Sequence, residues 1–251
     1  MLTDERHNFI RKELASKGRV LAGELATRFG VSEDTARRDL RELAKAGDCR
    51  RVYGGAITPA PQGQSIGTRL ATFSAEKLQL AAAAVKLIET GQSLFIDSGS
   101  TNILVAKAIP IDVELTVATN SLGVAAALAG HPHVKLIVLG GVHDGELGAC
   151  VGADTLRSIS QFNADRYFLG SCGVDSTRGA TAFDAAEAEV KRAMASNSAS
   201  IVVTAITEKL ETAAPFRVVG PEAIGHLVVE NDAPDEVLRK FGKQGTIIHR
   251  A

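Results

Sequence analysis

The stretch that decides the N-terminal fold is Gly30-Val31-Ser32-Glu33-Asp34-Thr35-Ala36-Arg37-Arg38-Asp39-Leu40. Gly30 favours a tight turn, since glycine accepts backbone angles that other residues resist. Ser32 is well placed to cap a following helix, because its side-chain oxygen can accept a bond from an otherwise unpaired amide. Ala36, Leu40 and Leu43 recur at helical spacing and are expected to face inward. The sequence therefore predicts a turn followed by a short helix with one apolar face.

The other face of this helix is polar and basic. Short polar groups near the start of a helix can reach base edges in the major groove of B-DNA, and arginines can reach phosphates or guanines. The candidate DNA contacts on this face are Ser32, Thr35, Arg37, Arg38 and Arg41.

The flanking segments complete a small domain. The pattern predicts a first helix at 4–16 with Thr3 as its cap, an extended piece at 19–21, a second helix at 22–29 and a basic strand at 49–56 that ends in a glycine turn. Three short helices and a strand are typical of a winged helix-turn-helix domain, here residues 1–56. Arg50, Arg51 and Tyr53 would lie on the wing, next to the DNA backbone or the minor groove.

A second interpretation of this domain stays open. Many three-helix bundles bind no nucleic acid, and paired arginines on a helix commonly form a solvated face, so a protein-interaction module is an alternative. Residues 1–56 contain 12 basic and 9 acidic residues, against 16 and 20 in the remainder. A mildly basic head on an acidic body suits a DNA-binding module joined to another domain, although the difference is small.

The composition favours a cytoplasmic protein. The chain has 251 residues, of which 45% are hydrophobic, and a net charge of −1. Cys49, Cys150 and Cys172 show no metal-ligand spacing, which favours a reducing cytosol, and the six histidines form no metal motif. We find no signal peptide and no apolar stretch long enough for a membrane span. The expectation is a chain without metal, cofactor or membrane contact.

The chain changes character after the first domain. Residues 57–73 are rich in proline, glycine and small polar residues and are predicted to be a linker. Residues 74–251 alternate short apolar runs with helical patterns, which indicates an α/β domain with a mostly parallel sheet and helices on both faces. The predicted strands are 93–97, 115–118, 134–139, 166–169, 200–203 and 226–229, and the predicted helices are 75–89, 101–109, 120–130, 184–198 and 234–241.

A candidate ligand site follows the first of these strands. In parallel sheets ligands bind outside the carboxyl ends of the strands. The loop there is Asp97-Ser98-Gly99-Ser100-Thr101-Asn102, at the start of a helix whose amides favour an anion. It lacks the lysine of a P-loop, so a nucleoside triphosphate is not implied. The loop is either a phosphate cradle or simply a capped helix after a turn.

Other residues could converge on that loop. The candidates in further strand-end loops are Thr119, Asn120, Gly140, Gly141, Gly170 and Gly173. Asn120 and Asp175 could bond sugar hydroxyls. Glu187 and Lys191 lie on one amphipathic helix, where Lys191 could contact an anion or form a surface ion pair. Lys209 follows a buried strand and is another candidate cation. Cys172 is interpreted as a small buried thiol rather than a nucleophile.

Together these motifs resemble the DeoR family of bacterial transcriptional regulators over nearly the whole chain. The N-terminal signature is Glu24-Leu25-Ala26, Phe29-Gly30-Val31-Ser32, Thr35, Arg37-Arg38-Asp39-Leu40, Leu43, Gly47 and Gly54-Gly55-Ala56. The body matches at Asp97-Ser98-Gly99-Ser100-Thr101, Thr119-Asn120, Gly140-Gly141, Phe168-Leu169-Gly170, Gly173, Glu187 and Val190-Lys191. The chain departs from the family at Tyr53, where histidine is frequent. It also departs at 204–209, where an Asp-x-Ser-Lys type segment is frequent.

The resemblance implies a winged-helix domain joined to a sensor and oligomerisation domain similar to ribose-5-phosphate isomerase and CoA-transferase folds. It further implies double-stranded operator DNA as a partner, a phosphorylated sugar or related metabolite as effector, and a homodimer or higher oligomer that represses a carbon-catabolism operon. A rival hypothesis is a sugar-phosphate isomerase with an accessory N-terminal domain. That enzyme would need a carboxylate base, for which Asp97, Asp175 and Glu187 are available.

Overall fold

The computed structural model describes residues 2–59, 65–71 and 75–251. Within these ranges the chain forms ten α-helices and sixteen strands, some of them very short. Every helix in the described ranges is too short or too polar to span a lipid bilayer.

The N-terminal domain has the predicted winged helix-turn-helix arrangement. Its elements are α1 (Thr3–Lys17), β1 (Arg19–Leu21), α2 (Ala22–Phe29), α3 (Glu33–Lys45), β2 (Arg50–Val52) and β3 (Gly55–Pro59). Ile10, Leu25, Leu40 and other apolar side chains of the three helices share one small core. Gly30 adopts the left-handed conformation that ends α2 (φ 64°), as the turn prediction requires.

Two local predictions in this domain are wrong. Leu2 rather than Thr3 occupies the cap position of α1, and Thr3 is the first helical residue. The predicted strand at 49–56 is a hairpin, in which β2 and β3 pair in antiparallel register with Val52 opposite Gly55. The Tyr53-Gly54 pair is therefore the tip of the wing and not the end of a strand. Gly54 has a φ of 83°, which glycine tolerates in such a tight turn.

A buried ion pair connects α1 to α3. The Arg6 guanidinium donates to both carboxylate oxygens of Asp39, with Nε–Oδ2 at 2.6 Å and Nη2–Oδ1 at 2.9 Å. The two side chains are 7% and 1% exposed. The bond to Asp39 raises the pKa of Arg6, so the guanidinium stays charged. Two-pronged geometry of this kind fixes the orientation of one helix against the other.

The remaining described residues form the connecting helix α4 and the α/β body. In chain order the elements are α4 (Ile66–Ala71), α5 (Ala75–Ala84), β4 (Ser93–Ile96), α6 (Ser100–Ala108), β5 (Leu115–Thr119), α7 (Leu122–Leu128), β6 (Val134–Val138), β7 (Val142–Asp144), β8 (Ala149–Val151), α8 (Ala153–Ile159), β9 (Arg166–Leu169), β10 (Gly173–Asp175), β11 (Gly179–Ala182), α9 (Ala185–Ser196), β12 (Ile201–Ala205), β13 (Thr212–Ala213), β14 (Phe216–Val219), β15 (His226–Val229), α10 (Asp235–Gly242) and β16 (Ile247–Arg250). Short 3-10 turns lie at Val85–Leu87, Thr207–Lys209 and Pro221–Ala223.

A seven-stranded sheet organises the body, with the order β16-β15-β12-β9-β4-β5-β6. Neighbouring strands run parallel throughout. Alternate side chains of a strand point to opposite faces. Thus Phe95 packs into the core under α9 and α10, while Leu94 and Ile96 pack into the core under α5, α6 and α7. The predicted two-layer cover of a parallel sheet is confirmed, and β16, α4 and α8 are elements that the sequence reasoning missed.

Strand β3 extends past the predicted domain boundary at residue 56. Ile57 is buried, and Thr58 and Pro59 pair in parallel with Thr212 and Ala213 of β13 in the body. The segment predicted as a linker, 57–73, therefore begins as a strand and contains helix α4. Residues 60–64 and 72–74 of that segment lie outside the described residues. The linker prediction depends on amino-acid composition alone. Composition does not show that a distant strand, here β13, pairs with the end of β3.

Candidate nucleic-acid interface and anion pocket

The start of α3 presents a preorganised polar surface. Ser32 caps the helix by accepting a bond from the Thr35 amide at 3.2 Å, and the two hydroxyl oxygens are 2.9 Å apart. Ser32 is exposed and Thr35 is half-buried. The cap fixes the backbone of the first turn, so both hydroxyls keep a defined direction relative to the helix axis.

The arginines of α3 and the wing flank this surface. Arg37, Arg38 and Arg41 are all exposed on one side of α3. Arg37 pairs with Glu33 one turn earlier, at 2.7 Å, and lines a cleft between α3 and the wing together with Arg51. The side chain of Tyr53 at the wing tip is fully exposed. Exposed ion pairs of this type cost little to break, so these arginines are available to an anionic partner.

Arg50 does not share this surface. Its guanidinium donates to the carbonyl oxygens of Ala213 and Pro215 in the body, at 3.3 and 3.2 Å, and also to that of Ala214. Burial, with a contribution from nearby Arg178, lowers the pKa of Arg50. Because its donors are used within the chain, the structure places Arg50 at the junction between the wing and the body.

One group of side chains in the described ranges has the spacing of metal ligands. Donor atoms of His7, Asp39 and Glu42 lie within 4.8 Å of one another. The Arg6 guanidinium already occupies both oxygens of Asp39, and its charge opposes a cation. The donor set is therefore a poor fit to a metal ion.

A narrow pocket lies at the carboxyl end of the sheet, where the loops after β4, β9 and β12 meet. Its lining is Arg69, Ser98, Gly99, Ser100, Thr101, Asn102, Gly170, Ser171, Cys172, Glu187, Thr204 and Lys209. The amides in the first turn of α6 have no carbonyl partner within the helix, which favours an anion there. The structure thus brings Ser98 to Thr101 together with Gly170, Glu187 and Lys209, as the sequence suggests.

A buried polar network supports the pocket from below. Asp97 accepts bonds from the Lys191 ammonium (2.6 Å), the Asn102 side-chain amide (2.8 Å), the Gly170 backbone amide (2.8 Å) and the Tyr167 hydroxyl. Lys191 also donates to the Gly170 carbonyl at 2.7 Å. A Cβ at Gly170 would lie 2.6 Å from the Ser98 carbonyl, so the two loops can meet only at a glycine. Asp97 and Lys191 therefore position the pocket wall rather than line the pocket.

Charges near the pocket are mainly positive. Burial lowers the pKa of Lys209 to about 8, and the positive charges of Arg69, Lys77 and Lys191 act in the same direction. Burial alone would lower the pKa of Lys191, but the carboxylates of Asp97 and Glu187 raise it. Burial also raises the pKa of the Cys172 thiol, which fits a neutral thiol. An anion bound in the pocket would offset the repulsion among these positively charged side chains, so the pocket favours an anion.

Several candidates from the sequence lie elsewhere. Asn120 donates its side-chain amide to the Cys150 carbonyl at 2.9 Å, and Thr119 accepts a bond from the Ser121 amide at 3.0 Å. The Gly140 carbonyl accepts a bond from the Thr155 hydroxyl, and Gly141 packs directly against that hydroxyl. Gly173 contacts the backbone of Thr212. Asp175 accepts bonds from Thr177 and Arg178 within its own hairpin. The residues at 119–120 and 140–141 end or follow β5 and β6, which lie on the far side of β4 from β9 and β12. Gly173 and Asp175 belong to the β10–β11 hairpin.

Sequence comparison identifies both domains. The DeoR-like helix-turn-helix domain matches residues 6–62, and the DeoR C terminal sensor domain matches residues 72–231. The chain belongs to the DeoR family. The glycerol-3-phosphate regulon repressor of Escherichia coli (strain K12) is 37% identical over 207 residues, which are 81% of each chain.

Other similar proteins of the DeoR family cover more of the chain. The putative aga operon transcriptional repressor of Escherichia coli O157:H7 is 29% identical over 97% of this chain and 92% of its own. The HTH-type transcriptional repressor GlcR of Bacillus subtilis (strain 168) is 31% identical over 84% of this chain and 81% of its own. Among solved structures, ribose 5-phosphate isomerase A from Methanocaldococcus jannaschii aligns with 53% of each chain at 18% identity and a TM-score of 0.40.

Proposed function

We propose that this DeoR-family protein is a transcriptional repressor that binds operator DNA through α3 and the wing. The observation that carries the proposal is the exposed face of α3, where capped hydroxyls at Ser32 and Thr35 are flanked by Arg37, Arg38 and Arg41. The names of the similar proteins support it, because they are repressors of operons or regulons. The protein would act as a homodimer or higher oligomer, since a pair of recognition helices matches two operator half-sites.

The proposed effector is a phosphorylated sugar or a related metabolite bound in the pocket at the start of α6. The first-turn amides of α6 and the cationic side chain of Lys209 favour a phosphate group. The similarity to a glycerol-3-phosphate regulon repressor makes glycerol 3-phosphate the first compound to test. Effector binding would shift operator affinity by favouring one arrangement of the DNA-binding domains over another.

We also propose that the pocket has no catalytic role. Asp97, the candidate base, already accepts four hydrogen bonds beneath the pocket, and Glu187 lies 3.4 Å from the Lys191 ammonium. Asp97 lies outside the pocket lining, so its carboxylate does not face the space that a substrate would occupy. Turnover of ribose 5-phosphate or another sugar phosphate by the purified chain would contradict this part of the proposal.

Replacing Arg38 with alanine tests the DNA interface. Affinity for DNA from the protein's own upstream region is expected to fall. If Arg38 contacts a phosphate, the negative slope of log affinity against log salt concentration should become shallower by about 1. The measurement is a fluorescence-anisotropy titration at several salt concentrations. Lys12→Ala, which removes an exposed cation from α1, is the matched control. Equal affinity of the Arg38 variant and the wild type at every salt concentration would exclude the proposed placement.

Effector affinity is expected to depend on pH through Lys209. The groups that act on this amine are Arg69, Lys77, Cys172 and Lys191, on four separate elements. A phosphate monoester is already a dianion above pH 7. The Lys209 charge is present below its pKa of about 8 and is lost above it, so affinity should fall about tenfold from pH 7 to pH 9.

Calorimetric titrations with glycerol 3-phosphate across this pH range would measure the effect. Lys209→Arg keeps a positive charge at every pH and should give a flat profile. An equally steep profile in this variant would show that another group is responsible.

A further inference from the structure

Arg69 is the member of the pocket lining that precedes the seven-stranded sheet in the chain. It lies on α4, between the DNA-binding domain and the α/β body in the chain. Its side chain nevertheless lines the same pocket as Ser98, Gly170 and Lys209. Its Nε atom is buried and has no hydrogen-bond partner among the described residues. A buried donor without an acceptor is unfavourable, and an anionic ligand would satisfy it.

Helix α4 is attached to the body by few but specific contacts. The Ile66 amide donates to the Glu146 carbonyl at 2.9 Å, and the Ile66 side chain packs against Gly148. Leu70 packs against the core under α5, α6 and α7. These contacts hold the backbone of α4 beside the pocket and leave the long Arg69 side chain directed at it.

The pocket is too small for a metabolite in this arrangement. Its cavity volume is about 20 Å³, which is enough for one or two water molecules. A sugar phosphate needs several times that space, so at least one lining group must move when it binds. Arg69 has the longest side chain of the lining and lies on a helix, so its rotation would open space without breaking the sheet.

The surrounding charges match this role. Arg69 contributes to lowering the pKa values of both Lys77 and Lys209, which places its charge close to each of them. Glu187, the carboxylate of the lining, is within 3.4 Å of the Lys191 ammonium. Positive charge therefore exceeds negative charge around the cavity, and a dianion would restore the balance.

We propose that Arg69 binds the phosphate group of the effector together with Lys209 and the amides at the start of α6. This inference rests on the proposed effector and adds that the connection between the two domains is itself part of the ligand site. Ligand binding then restrains the position of α4 directly. The effect on the DNA-binding domain passes through this connecting helix and needs no rearrangement of the core. Arginine suits this position because its planar fork can hold two phosphate oxygens at once.

The test uses the full chain and three variants: Arg69→Gln, Arg69→Lys and, as control, Arg157→Ala. The glutamine variant keeps most of the side-chain length without charge, and the lysine variant keeps the charge without the fork. Arg157 is an exposed arginine of α8 that pairs only with Asp154 one turn away among the described residues. Each protein is titrated calorimetrically with glycerol 3-phosphate, inorganic phosphate and, as an uncharged probe, glycerol. Urea unfolding without ligand and affinity for upstream DNA without ligand are measured in parallel.

The expected result is a loss of about 10- to 100-fold in phosphate affinity for R69Q and a smaller loss for R69K. The control R157A should match the wild type. The urea midpoint and the ligand-free DNA affinity should be unchanged, which separates a ligand contact from a structural role. R69Q that binds phosphate compounds as tightly as the wild type would overturn the inference and leave the proposed function intact. A wild type that binds none of the phosphate compounds would overturn the inference and the phosphorylated effector together, while operator binding would still be judged by the Arg38 experiment.

Discussion

Replacing Asp39 with asparagine is expected to destabilise the DNA-binding domain by about 3 kcal/mol. The substitution replaces the carboxylate that accepts two bonds from the buried Arg6 guanidinium with a neutral amide. The loss is a large part of the stability of a small domain, which is commonly about 5–15 kcal/mol. Hydrogen exchange followed by mass spectrometry, read on peptides from α1 and α3, would measure the loss within this domain.

The chain offers a matched control for this experiment. Arg11, in the middle of α1, forms a similar pair with Asp48 at 2.8 Å, but the two side chains are 45% and 31% exposed. Asp48→Asn should therefore cost no more than about 1 kcal/mol. Equal loss of protection in the two variants would contradict a special role for the buried pair. Operator binding by Asp39→Asn should weaken in proportion to the unfolded fraction, because Asp39 faces away from the polar surface of α3.

Replacing Lys191 with methionine is expected to destabilise the α/β body by about 3–5 kcal/mol. The change leaves the Asp97 carboxylate buried at 1% exposure without its cation. The wall of the anion pocket should loosen as well, because Lys191 also donates to the Gly170 carbonyl that borders the pocket. Urea unfolding followed by tyrosine fluorescence measures the effect. The chain has two tyrosines and no tryptophan, so a Tyr53→Phe background leaves buried Tyr167 as the reporter of the body.

A double-mutant cycle separates the ion pair from simple loss of packing. Asp97→Asn removes the carboxylate that Lys191 compensates, so the double variant should be less destabilised than the sum of the single variants. Additive effects would show that the two residues act independently. Lys243→Met, which replaces an exposed lysine of the same domain, should leave the transition unchanged.

Elements with strong local signals could be predicted from the sequence. The turn at Gly30 and the cap at Ser32 depend on residues within a few positions, and the buried strands are apolar runs that only a covered sheet can hold. Strand β16 was missed because it is an edge strand in which no residue is fully buried, and Ile247 is 54% exposed. Helix α4 was missed because its segment has the composition of a linker.

The pocket was predictable only in part, for a related reason. Which strand-end loops meet depends on the order of strands in the sheet, which no local pattern contains. The loop after β4 meets those after β9 and β12, since β9 lies beside β4 and β12 beside β9. The loop after β5 instead turns to β8, where Asn120 and Cys150 exchange hydrogen bonds. Arg69 reaches the pocket from a distant part of the chain, so only the structure reveals it.

The pairing of β3 with β13 bears on how interchangeable the DNA-binding head is. β3 belongs to the wing hairpin at Gly55 to Ile57 and to the body at Thr58 and Pro59. A chimera joined at residue 56 would divide this strand and separate Arg50 from the carbonyls of 213–215 that it contacts. To change operator specificity, it is therefore better to substitute the exposed residues of α3 and the wing tip in the full-length protein than to exchange the whole DNA-binding domain. The DNA-binding domain is thus joined to the α/β body by a shared strand and by the hydrogen bonds of Arg50, and it is not an exchangeable module.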